Sequence, residues 1–292
     1  MIEYDNKNWF RLVFAFRGTV VPKLAIEIVL LMAWTAVVLA GYKSAVIPKD
    51  FKIDMVVFNV IGLALGLLLV FRTNSSYDRY WEGRKLMGAV TNASRNIAII
   101  LNSLISENEQ HQRRQYISLL SAFIFALKAR LRTGVGIKDL PMLENELRNS
   151  VLKQKNVPLA ILNAFYAELS TLKTQLLNAK DAEQLTLNTE FANLVNSLGG
   201  MERIRYTPMP FPYASHLRMF ITLYFVFLPF GLSQQLGWIT VPAIGIISLV
   251  LIGINEIGIE IEDPFGTDPN DLPMDAFCNN VTSNVEEILL RK

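Results

Sequence analysis

The sequence predicts an all-α membrane protein with four membrane-spanning helices and a large helical cytoplasmic domain. Three observations point there. Apolar residues make up 51% of the chain and are gathered into two blocks, one near each end. Charged residues make up 18%, against the roughly 25% of an ordinary soluble domain. The middle of the chain shows helical spacing, and strand-like alternation persists nowhere.

The first span runs from Leu24 to Tyr42, with Glu27 as its one charge. About 20 mostly apolar residues cross a bilayer core, and this run has that length. A second, uncharged run extends from Met55 to Phe71. After Arg218 the chain is uncharged from Met219 to Asn255, too long for one crossing. Ser233, Gln234, Gln235 and Gly237 supply a polar turn, so a helical hairpin is predicted, with Trp238 at the headgroup level. Pro229 and Pro242 fall inside these spans, where neighbouring helices can satisfy the freed carbonyls.

Basic residues flank the spans unevenly. Lys7, Arg11, Arg17 and Lys23 precede the first, Arg72, Arg79, Arg84 and Lys85 follow the second, and Arg203, Arg205 and Arg218 precede the third. The positive-inside rule then puts both termini and the middle of the chain in the cytoplasm of a multi-pass protein of the inner (plasma) membrane. The expected division is 1–71 (N-terminal segment and two spans), 72–216 (cytoplasmic helices), 217–257 (two spans) and 258–292 (cytoplasmic tail). Helices are expected over 77–104, 113–132, 143–153, 159–177 and 182–198, with a break at Gly199-Gly200. Ile117 to Leu127 is too short to span and reads as a core helix.

Several chemistries lack residues to support them. Cys278 is the single cysteine, so no disulfide forms within the chain, and two histidines are few for a zinc site. A net charge of +2 gives no footprint for nucleic acid. HExxH, GxSxG and P-loop motifs are missing, so an enzyme is not expected.

The second span carries a distinctive stripe. Leu63, Leu67 and Phe71 recur every fourth residue along nearly one helix face. Around an axis of several copies they would form apolar rings, and such rings can gate a pore by dewetting. Taken alone, such a stripe in a spanning helix is far more often core or lipid-facing than pore-lining. Gly62 and Gly66 form a small-xxx-small pair suited to close helix packing. Near the cytoplasmic ends of the spans, Glu256 and Glu260 are expected either to pair with Arg218 or to collect cations. Asp78 and Glu82 are expected to pair locally with Arg79 and Lys85.

The polar stretch after the stripe, Phe71-Arg72-x-Asn74-x-Ser76-Tyr77-x-Arg79-x-x-Glu82-x-Arg84, resembles the segment after the second span in the bestrophin family, its bacterial branch in particular. Thr207-Pro208-Met209-Pro210-Phe211-Pro212-Tyr213 and Glu262-Asp263-Pro264-Phe265-Gly266 agree in the same order, as does the run from Asn270 to Pro273. The resemblance implies a homopentameric channel in the lipid bilayer whose neck is three apolar rings, at Leu63, Leu67 and Phe71. It implies a second, cytoplasmic constriction within 182–187, at Ala182 or Leu185. Animal members pass chloride through a neck with two phenylalanine rings, and bacterial members conduct cations. With Phe71 as its one aromatic ring, this chain is therefore expected to pass monovalent cations (sodium or potassium), with a chloride channel of the same architecture as the alternative. No cofactor is required. Calcium, which animal members bind after Pro-Phe-Gly, would fall to Asp268 and Asp271 here, and the bland reading of those residues is a charged turn. A membrane-anchored scaffold or a transporter is the alternative from another class.

Overall fold

The computed structural model describes residues 18–171 and 181–290. Lys7, Arg11 and Arg17, and positions 172–177 of the expected fourth cytoplasmic helix, lie outside the described residues. Nine α-helices are described: α1 Val21–Lys43, α2 Met55–Leu104, α3 Gln110–Arg132, α4 Asn145–Leu152, α5 Val157–Thr171, α6 Asp181–Tyr206, α7 Phe211–Leu236, α8 Thr240–Glu262 and α9 Met274–Leu290. Among the described residues there is no strand. The chain forms two compact units, one of residues 1–80 and 208–262, the other of 81–207 and 263–292. These divisions fall a few residues beyond the apolar runs themselves, because the polar helix ends pack with the apolar lengths they continue.

The first unit holds α1, the start of α2, α7 and α8. By length and composition, α1, α2 and the helical stretch that includes α7 and α8 are apolar enough to cross a membrane. The core is built from Phe58, Leu65 and Leu69 of α2, Leu217, Ile221, Phe225 and Leu228 of α7, and Ile244 of α8. Small residues let these helices approach. A Cβ on Gly231 would stand 2.6 Å from the Phe58 ring, and one on Gly245 would stand 3.0 Å from the Met32 sulfur. Pro229 lies inside α7, where its missing N–H and its ring disturb the preceding turn. Trp34 of α1 donates its indole N–H to Val226 O at 3.0 Å, beside the carbonyl that the proline frees. The hairpin turn is at Gly237–Ile239, with Gly237 at φ 52°. It is not at Ser233 to Gln235, which are helical; there the Ser233 hydroxyl turns back to donate to Pro229 O at 2.5 Å.

The expected helix boundary after Phe71 is not there. α2 continues through Arg72 to Leu104 without a break. No glycine or proline lies between Leu67 and Glu82, and the polar side chains there do not compete with the helix. Thr73 donates to Leu69 O at 2.8 Å, while Arg72 and Ser76 are buried.

In the second unit α3 lies at the centre, buried from Tyr116 to Leu127 except on the face of Ser118 and Phe125, and packs against α5 and α9. The expected break at Gly199-Gly200 is also missing. A Cβ on Gly200 would come within 2.9 Å of Leu86, so this glycine serves close helix approach inside an unbroken α6. Cys278 of α9 is buried, and burial pushes its thiol up to about 12. Asp275, in the first turn of α9, is held below the usual carboxylate range by hydrogen bonds from Lys128 and Arg132.

Arg113 joins three helix ends in this unit. Its guanidinium, 3% exposed, donates to Ile105 O (2.6 Å), Leu289 O (2.7 Å) and Asn102 Oδ1 (2.5 Å). It thereby satisfies C-terminal carbonyls of α2 and α9 that helix geometry leaves open. Arg113→Met should leave at least two of these acceptors buried and unpaired. At about 1–3 kcal/mol each, the loss should be large in thermal unfolding of the purified protein, and Arg113→Lys should recover only part of it.

Candidate pore-lining face and its anchoring cluster

The sequence-predicted stripe is exposed. Leu63, Leu67 and Phe71 have 70%, 54% and 65% of their surface accessible within the single chain. On the other side of the same helix, Phe58, Leu65, Leu69, Arg72 and Ser76 are buried. Three apolar side chains of one helix therefore stand in line without a partner from their own chain. Of the small pair, only Gly62 has a close neighbour, the Tyr224 hydroxyl, 3.4 Å from where its Cβ would lie. Gly66 has nothing within 4 Å, so the two glycines do not form one helix contact within the chain.

The motif after the stripe divides by face. Arg72 and Ser76 point into the first unit, and Asn74, Tyr77 and Arg84 are exposed. The inward residues meet at the last residue of α8. Arg72 Nη2 lies 3.4 Å from Glu262 Oε2. The Arg79 Nε–H donates to Glu262 O at 3.1 Å. The Met209 N–H, just before α7, donates to Glu262 Oε1 at 2.8 Å. Tyr213 adds a bond to Leu68 O at 2.8 Å. The three segments that carry the family resemblance thus come together on one carboxylate and its carbonyl. Arg72 is 3% exposed, and its Nε and Nη1 have no hydrogen-bond partner among the described residues.

The local pairing expected for Asp78, Arg79, Glu82 and Lys85 does not form as expected. Arg79 goes to Glu262 O, and Glu82 accepts from Arg203 at 2.5 Å in the second unit. Glu260 pairs with Lys23 at 3.2 Å rather than with Arg218. On α2, partners across packed helices replace partners along the helix; for Glu260, the neighbouring α1 supplies Lys23 in place of Arg218 of α7. In the sequence Glu262 stands in a segment of family resemblance without a role of its own; the signal for one is an acid closing an apolar span directly before Asp-Pro-Phe-Gly.

The loop after Glu262 is closed by its own backbone. Asp271, buried, accepts the Asp268 N–H on Oδ2 at 2.6 Å, and Leu272 N–H donates to Pro264 O at 2.9 Å. A Cβ on Gly266 would stand 2.6 Å from that same Oδ2, which is why glycine follows Pro-Phe here. Asp268 is exposed, and among the described residues no three His, Cys, Asp or Glu side chains cluster. Calcium takes six to eight oxygens. One buried carboxylate already committed to an amide and one exposed carboxylate do not fit such a cage. Of the expected cytoplasmic constriction, Leu185 is 69% exposed on α6, and the Ala182 side chain lies outside the described residues.

Residues 1–287 match the bacterial/fungal bestrophin family. A voltage-dependent anion channel-forming protein of Nostoc sp. is 37% identical over 287 residues, covering 97% of this chain and 92% of the relative. One of the same description from Escherichia coli K12 is 30% identical, covering 96% and 91%. The crystal structure of a bacterial bestrophin homologue from Klebsiella pneumoniae superposes with a TM-score of 0.86 at 28% identity, covering 92% of this chain and 99% of that one.

The Glu262 cluster is testable by a double-mutant cycle. Glu262→Ala strands a buried guanidinium and an amide and should cost about 3–5 kcal/mol in thermal unfolding. Arg72→Met combined with Glu262→Ala should cost less than the sum of the two single changes. A combined cost equal to the sum of the single changes would mean that the two side chains do not interact.

Proposed function

The chain belongs to the bacterial and fungal bestrophin family, and on that premise we propose that it assembles as a ring of five copies that conducts anions passively across a membrane. The observation that carries this reading is the stripe of Leu63, Leu67 and Phe71, exposed on α2 while the opposite face is fixed in the core. In a ring of copies the stripe lines the axis as three apolar rings, with Phe71 at the end nearest the Glu262 cluster. Gly66, open within the chain, then gives space for the neighbouring copy. Such a neck limits flow by excluding water, without side-chain charge.

The expectation of cation conduction gives way here to the anion alternative. Relatives that cover nearly the whole chain are named as anion channel-forming proteins. The expectation rested on the resemblance to the bacterial branch and on a neck with one aromatic ring instead of two, but leucine at the other two positions carries no charge and does not choose a sign. The one aromatic ring presents a partly positive edge, which favours an anion. The exposed Arg84 and Lys85 on the continuation of α2 add positive potential at the cytoplasmic side.

A reversal potential measured with purified protein in a planar bilayer, under a threefold sodium chloride gradient, decides the sign. It should lie near the chloride equilibrium value, and a value near that of sodium would reject the anion reading. In the same assay Leu67→Ala should raise single-channel conductance by widening the middle ring. Unchanged conductance in an intact oligomer would remove Leu67 from the neck.

A further inference from the structure

Within the first unit, α1, α7 and α8 line an open cavity of about 530 Å³, with Glu27 and Arg218 exposed and no residue of the Leu63–Phe71 stripe in its lining. Its polar wall is Glu27, Arg218, Asn255 and Glu256, and its apolar wall includes Leu31, Phe225 and Ile252. Glu27 lies six residues in from Val21 (27 − 21), Arg218 seven in from Phe211 (218 − 211), and Asn255 seven before Glu262 (262 − 255). At 1.5 Å per residue, all three sit about 10 Å along their helices from the ends. That is where the polar ends give way to the apolar runs, and the cavity is amphipathic in the same sense.

The second observation is a single atom. Asn255 is 5% exposed, and its Oδ1 is buried with no hydrogen-bond partner among the described residues. An unpaired buried acceptor in an apolar surrounding costs free energy until something donates to it. Beside it stand two carboxylates and one guanidinium. Together these groups ask for a cation with N–H donors, carrying an anionic group that Arg218 can hold, on an apolar stem.

We infer that this cavity binds the headgroup of a zwitterionic phosphoethanolamine lipid. The primary ammonium donates its N–H groups to Asn255 Oδ1, Glu27 and Glu256, Arg218 holds the phosphate, and an acyl chain lies along Leu31, Phe225 and Ile252. An ammonium offers three N–H donors, enough for the carbonyl oxygen and both carboxylates. A quaternary choline headgroup has the same charge and no N–H, so it leaves Asn255 unsatisfied. A phosphoglycerol headgroup lacks the cation.

Native mass spectrometry of the detergent-solubilised protein, titrated separately with dioleoyl phosphatidylethanolamine, phosphatidylcholine and phosphatidylglycerol, tests this. Phosphatidylethanolamine should be retained about tenfold more strongly than the other two, the worth of a charge-assisted hydrogen bond. Asn255→Leu should abolish that preference, and Asn255→Asp, which keeps the acceptor, should preserve it. If Asn255→Leu does not fold, Glu27→Gln with Glu256→Gln should reduce the preference in the same way. Equal retention of the ethanolamine and choline lipids would overturn the inference, as would a preference for phosphatidylglycerol. So would retention unaffected by either substitution set, the result expected if a second copy of the chain covers the cavity. Lipid retention is read without ion flux, so its failure leaves the pore reading standing.

Discussion

The rotation of α2 is set by the carboxylate and carbonyl of Glu262. Arg72 and Arg79 lie seven residues apart and therefore on nearly the same face, since each residue turns a helix by about 100°. Both reach Glu262, so the azimuth of α2 is fixed at its polar end. Counting back at the same pitch, Phe71, Leu67 and Leu63 fall about 100–180° away from Arg72. Their exposure is thus the geometric complement of the cluster. The core contacts of Phe58, Leu65 and Leu69 hold the same rotation along the apolar length. A half-buried ion pair is weak evidence for stability on its own, because desolvation offsets much of the attraction. Its value here is in orientation.

Much of the architecture is legible in the sequence because it follows from hydropathy and periodicity. Apolar length marks α1 and the hairpin of α7 and α8, and the every-fourth-residue pattern marks the stripe. The failures share a physical origin. The polar run from Arg72 to Ser76 reads as a boundary because its side chains can compete with a helix. In the fold Arg72 and Ser76 are buried, Thr73 bonds back to Leu69 O, and Asn74 and Ser75 point to the exposed face, so α2 runs on. Gly199-Gly200 reads as a break because glycine weakens a helix, by about 1 kcal/mol relative to alanine. The contact of Gly200 with Leu86 outweighs that loss. Which acid meets which base was not legible at all. Glu260 chose Lys23, far away in sequence, because helix packing and not spacing decides such pairs. For the same reason Asn255 looked like one more residue at the end of a span. Its unsatisfied oxygen is visible only once α1 and α7 stand beside it.

The first unit is asymmetric from end to end. Near Glu262 its helices are joined through charges: Arg72 with Glu262, and Lys23 with Glu260. At the other end the connections are neutral. Trp34, Tyr42 and Phe51 pack edge-on around Phe230, with ring centroids 6.5, 6.4 and 5.7 Å away. The Tyr42 hydroxyl donates to Phe51 O at 2.5 Å, and Gln234 donates to Lys49 O. Trp238 is exposed there, as an amphipathic ring at a membrane boundary is. The three stripe residues therefore have different supports. Phe71 adjoins the charged cluster, whereas the α2 segment around Leu63 rests on Gly62 against Tyr224 and on Phe58 against Gly231. In the proposed assembly, a ring at Phe71 would take its position from ionic bonds with fixed partners, and a ring at Leu63 from van der Waals packing around small residues. Selectivity that depends on a ring edge needs a fixed orientation. The single aromatic position of the stripe lies at the end where the helix is most firmly held.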